Sequence, residues 1–185
     1  SVTGVQTCAL PISLGYFRFF PYEQFPGPFS RPGAVRAGAA TFLAALPLLV
    51  LTSVGWRALL QALGIPAERQ PLVDLFQQAD RGPLLGGLIL IAVALAPITE
   101  EIVFRAGLFR YVRTRLPRPI ALLAPALLFA ALHANLSSFV PLVTLAVIFS
   151  VAYERTGTIA VPIIAHGLFN LNTVVLILSG AIELA

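Results

Sequence analysis

Apolar residues come in long runs, broken by short clusters of arginine, proline and glycine. Residues 34–63 form the first run, and Gly64 with Pro66 closes it. Pro47 lies inside that run; prolines are tolerated in membrane helices when neighbours satisfy the carbonyl they free. Residues 83–113 form the second run and residues 120–134 the third, with the basic turn TRLPRP between them. Residues 139–153 and 158–180 form the fourth and fifth, joined through YERTG. A helix needs roughly 20 apolar residues to cross a bilayer. The pattern therefore predicts an all-α, polytopic transmembrane helix bundle with about five spans. Residues 65–82 mix charge, proline and amphipathic pieces, which predicts a loop with a short interfacial helix. Residues 13–33 are rich in aromatics, proline and glycine, and suit a headgroup boundary.

Composition strengthens the membrane reading. Of the 185 residues, 58% are hydrophobic and 11% charged, whereas soluble domains carry about a quarter charged residues. The net charge of +4 comes from arginine, because the chain has no lysine. No interleaving of basic and aromatic residues suggests nucleic acid, and the expected partner is membrane lipid. Arg110, Arg113, Arg115 and Arg118 crowd one connection, which marks it as cytoplasmic. Alternation of the spans then puts Arg31, Arg36 and Arg155 on the same side. The expected location is a lipid bilayer, with these basic connections on its cytoplasmic side.

The one cysteine, Cys8, has no internal partner for a disulfide. It lies in VTGVQTCALPI, residues 2–12, which looks like a translated short-read sequencing adapter. Residues 1–12 are accordingly expected to be an artefact. Residues 13–82 are expected to form an N-terminal membrane region of one span plus a loop, with further helices upstream. Residues 83–180 are expected to form the core domain.

Ionisable side chains inside a membrane are expensive and mark functional sites. The spans hold few: Glu100, Glu101, Arg105, His133 and His166, with Asn170 as a further polar group. Glu101 and Arg105 are four apart and share a helix face, so they are expected to pair. Glu100 points about 100° away from Glu101, so the two glutamates have different neighbours. Phe129 and His133 share one face of the third helix, as His166 and Asn170 share one face of the fifth. Counting from the basic ends, Glu100, His133 and His166 lie at similar depths, and one cavity nearer the cytoplasmic side is expected to gather them. A glutamate there suits general-base work on a water, followed by return of the proton to a leaving amine. A histidine and an asparagine on one face suit hydrogen bonding to a developing oxyanion. Two histidines and a glutamate also make the ligand set of some catalytic zinc sites, so zinc through Glu100, His133 and His166 stays open beside a metal-free mechanism.

Three motifs then coincide. EEIVFR (Glu100 to Arg105) resembles the EExxxR motif of the CAAX protease and bacteriocin-processing (CPBP) family of intramembrane proteases. FAALH (Phe129 to His133) is similar to its FxxxH motif, and HGLFN (His166 to Asn170) to its HxxxN motif. The resemblance covers residues 83–180. It implies an all-helical membrane endopeptidase, often of eight spans, that acts in CAAX processing, bacteriocin processing or self-immunity. By that resemblance Glu100 activates water with help from His133, His166 and Asn170 stabilise the oxyanion, and Glu101, Arg105 and Phe129 support the site. The family is commonly labelled metalloprotease, with a glutamate-dependent mechanism as the competing account. One departure is Ala106, where a glycine commonly follows the motif arginine. The competing classes are a proton- or ion-coupled transporter, against which the lack of an internal repeat speaks, and a non-catalytic immunity or scaffold protein.

Overall fold

A computed structural model of the chain describes residues 33–66, 75–76 and 82–180. The adapter-like segment, the aromatic stretch before residue 33 and most of the 65–82 loop lie outside the described residues. Five helices make up the body: α1 (Ala34–Ala62), α2 (Pro83–Arg113), α3 (Arg118–Leu132), α4 (Phe139–Thr156) and α5 (Ala160–Leu178). No strand occurs among the described residues.

The helices α1, α2, α5 and the stretch Leu136–Thr156 are long and apolar enough to cross a membrane. The third is shorter than a full span: α3 has 15 residues, or roughly 22 Å of helix. It ends at Leu132 with His133 as its C-cap, and Ala134 takes a left-handed φ of 49°. Asn135 then caps a single 3-10 turn, Leu136–Ser138, by accepting the Ser138 N–H at 2.9 Å. That turn feeds α4 directly. Large apolar side chains such as Leu51, Leu90 and Leu123 remain exposed, as a lipid-facing surface requires. The protein is an integral membrane protein.

The ends of the helices sort by charge. Arg113 at the end of α2 and Arg118 at the start of α3 both bind Glu154 near the end of α4, at 3.0 and 2.7 Å. The start of α1 meets the start of α5 at the same end. A Cβ added to Gly38 would sit 2.7 Å from Ile164 Cγ2, so the glycine allows that approach. At the opposite end the Trp56 indole N–H donates to the Leu136 carbonyl at 2.8 Å and ties α1 to the 3-10 turn. His133 therefore stands at the end of α3 remote from the arginines, as its distance along the chain from the basic turn predicts.

Helix α2 is not a regular α-helix. It is α-helical over Pro83–Leu90, π-helical over Ile91–Leu95, α-helical over Ala96–Glu101, π-helical again over Ile102–Phe109, and closes with Arg110–Arg113. A uniform 100° step per residue therefore does not describe its faces. Both glutamates end the central α-helical stretch, between the two wider segments.

Candidate active site

The site is built on α2 and α5, with α3 and α4 as its floor. Glu101 and Arg105 pair as their spacing predicts, with Arg105 Nη1 2.9 Å from Glu101 Oε1. Both side chains are buried, at 0% and 1% exposure. The same carboxylate oxygen also accepts from His166 Nδ1 at 2.8 Å. This contact joins residues 65 apart and is not visible in any motif. A carboxylate held by an arginine only accepts, so the Nδ1 of His166 carries a hydrogen. Nε2 is thereby the nitrogen presented to Glu100, whose Oε2 lies 3.7 Å away. Glu100 is 31% exposed, in contrast to its neighbour. The two glutamates thus bracket one imidazole, one buried and one accessible.

Aromatic rings supply the dry surroundings. The Arg105 guanidinium lies 4.9 Å from the Phe129 ring centroid and 5.5 Å from that of Phe149. The His166 ring lies 5.3 Å from Phe149 and 6.2 Å, edge-on, from Phe129. Phe104 packs against Phe129 at 5.1 Å in a T-shape. Cation–π contacts of this kind gain strength when water is excluded. Arg105 also donates from Nη2 to the Ala146 carbonyl at 3.3 Å. Phe149, Ala146 and Ser150, which donates to the same carbonyl at 2.9 Å, escaped the sequence reading. Only the lone serine in an apolar run hinted at this face of α4.

His133 reaches the site through Phe129. Its ring lies 4.6 Å from the Phe129 ring, and its Nδ1 donates to the Phe129 carbonyl at 2.7 Å. A carbonyl cannot donate, so a neutral His133 keeps its lone pair on Nε2. Asn170 lies one turn beyond His166 on α5. Its amide Nδ2 donates to the Ala92 carbonyl in the first π-helical segment at 2.8 Å. The amide has a second N–H beyond this bond. Ala106, where a glycine was expected, is 5% exposed and packs with Phe109, Ala121, Leu122, Tyr153 and Ile159, so its methyl group fits.

The zinc alternative fares less well. Among the described residues no three His, Cys, Asp or Glu side chains are gathered to hold a metal ion. Both histidines commit Nδ1 and keep Nε2 free, as metal-ligating imidazoles do, so what tells against the set is that the three side chains do not converge. Glu100, His133 and His166 therefore do not fit a three-ligand zinc set.

Comparison with known proteins agrees with the motifs. Residues 83–172 match the family described as type II CAAX prenyl endopeptidase Rce1-like. The core of the chain is similar to that family. A curated relative, "Putative membrane peptidase YdiL" of Bacillus subtilis (strain 168), is 30% identical over 107 residues, or 58% of this chain. The chain spans 41% of that relative's length. No solved structure matches.

Proposed function

We propose that this Rce1-like core hydrolyses a peptide bond with Glu100 as general base, without a metal. Glu100 takes a proton from water as the water adds to the scissile carbonyl, and returns it to the leaving amine. His133 helps hold that water through Nε2. His166 stabilises the oxyanion, with Glu101 and Arg105 fixing its ring. The observation that carries this reading is the bracketed imidazole: Glu101 Oε1 at 2.8 Å from Nδ1 and the accessible Glu100 Oε2 at 3.7 Å from Nε2. The substrate is a membrane-associated peptide or protein, entering from the basic side or through the bilayer of a bacterial plasma membrane. Its biological setting is CAAX-like processing, bacteriocin processing or immunity.

The test is cleavage of a lipid-embedded peptide library by the natural full-length chain. Glu100→Ala is expected to lower kcat by about 10²–10⁴-fold, and His133→Ala to lower it by less. Cleavage is expected to persist under strong chelation. Wild-type rates in both variants would remove the mechanism, and Glu100-dependent proton flux without cleavage would favour a transporter.

A further inference from the structure

The π-helical segment of α2 leaves one buried carbonyl without a backbone donor. In an α-helix the Ala92 carbonyl would accept from the N–H of residue 96. Here the Ala96 N–H goes instead to the Ile91 carbonyl, in the i→i+5 pattern of a π-helix. Continuing that pattern, Ala92 would accept from residue 97, and residue 97 is proline, which has no N–H. Neither helical register therefore supplies a donor to Ala92. Inside a bilayer no bulk water replaces it, so a proline in a membrane helix persists only where a neighbour satisfies the freed group.

Helix α5 supplies that neighbour. Asn170 Nδ2 reaches the Ala92 carbonyl at 2.8 Å. Three residues earlier, a Cβ on Gly167 would stand 2.8 Å from the Val93 carbonyl. Val93 is the acceptor that an N–H at residue 97 would reach in α-helical register. The orphaned Ala92 carbonyl and the neighbouring Val93 carbonyl thus face the same strip of α5. A glycine admits one of them, and an amide bonds the other. His166 sits on this same helix immediately before Gly167, and Glu100 and Glu101 follow Pro97 by three and four residues. The clamp fixes the junction of the two helices that carry the bracketed imidazole.

We infer that Asn170 is a positioning residue. It replaces the donor lost at Pro97 and, with Gly167, holds the π-helical segment of α2 so that Glu100 and Glu101 meet His166. This deepens the proposed hydrolytic reading and rests on it for the consequence to catalysis, while the clamp itself does not depend on cleavage.

The test is rescue. Asn170→Ala in the full-length chain in lipid nanodiscs lowers the Tm, raises amide deuterium exchange over residues 91–101 and lowers kcat by about 10-fold or more, as loss of a buried partner predicts. Asn170→Asp, which cannot donate from its carboxylate, behaves at least as badly. Pro97→Ala restores a backbone N–H, so Pro97→Ala/Asn170→Ala regains Tm, protection and kcat relative to Asn170→Ala. If Asn170→Ala fails to accumulate as folded protein, recovery of folded protein in the double variant is the expected result. A double variant no better than Asn170→Ala in any of these measures overturns the inference. So does an Asn170→Ala chain whose Tm and exchange match the wild type, which would return Asn170 to the role of a donor to the reacting carbonyl. Tm and exchange need no substrate. A failure of the hydrolytic reading, seen as Glu100→Ala cleaving at the wild-type rate, is therefore read separately.

Discussion

Two centres in this molecule join arginine to glutamate, and they differ in almost everything else. At the basic end, Glu154 takes Arg113 on one oxygen and Arg118 on the other. Those arginine side chains are 36% and 48% exposed. In the middle of the bundle, Glu101 takes Arg105 and His166 on a single oxygen, and its other oxygen is buried with no hydrogen-bond partner among the described residues. The first centre uses its acceptors fully at low cost, in reach of water. The second leaves Glu101 Oε2 and Arg105 Nε without partners at nearly zero exposure. Burial of charge costs several kcal/mol per ion and is returned only by good geometry and further hydrogen bonds. An incompletely satisfied pair under Phe129 and Phe149 is thus a poor device for stability alone. It makes sense as the support that holds an imidazole facing Glu100.

The same substitution at both centres tests that contrast most directly. Glu101→Gln is expected to lower stability by about 3–5 kcal/mol, because it strands the Arg105 charge in the interior, and to abolish cleavage with it. Thermal unfolding in detergent and a cleavage assay read both. Next in size is the paired replacement Glu101→Leu/Arg105→Met. Removing both charges together is often neutral for stability, so Tm should return toward the wild type while cleavage does not. Recovery of cleavage as well would reduce the pair to packing. The smallest effect belongs to Glu154→Gln, expected at about 1 kcal/mol or less, with kcat unchanged. Raising the salt from low to high concentration should lower the wild-type Tm slightly by screening this exposed cluster and leave the Glu154→Gln protein unaffected.

The helices were largely legible from the chain. The predicted runs at 34–63 and 83–113 match α1 and α2 within a residue, because hydrophobicity and breakers set those limits. The third run is where pattern and helix part. The apolar pattern runs to 134 through His133, but α3 stops at Leu132 and the turn begins at the histidine itself. Apolar composition does not reveal that stop, since Ala134 and Leu136 are as apolar as the helix before them. The Glu101–Arg105 pair was legible because four residues along a helix bring side chains together. The Glu101–His166 bond was not, because sequence spacing carries no information about contacts between helices. The two π-helical segments of α2 were invisible to a pattern read at 3.6 residues per turn. Pro97 was the one available signal that a carbonyl near Ala92 or Val93 would need outside help.

The sequence alone determined that this chain lives in a membrane, where its spans lie and which six ionisable or amide side chains are out of place there. Hydrophobic transfer and the cost of buried charge act residue by residue, so they can be read without coordinates. Tertiary structure alone decided what those side chains do to one another. Glu101 is shared between Arg105 and His166, Glu100 is left accessible beside the other face of the ring, and Asn170 is turned onto a carbonyl orphaned by Pro97. Hydrogen bonds are short and directional, and only the packing of α2 against α5 brings their donors and acceptors within reach.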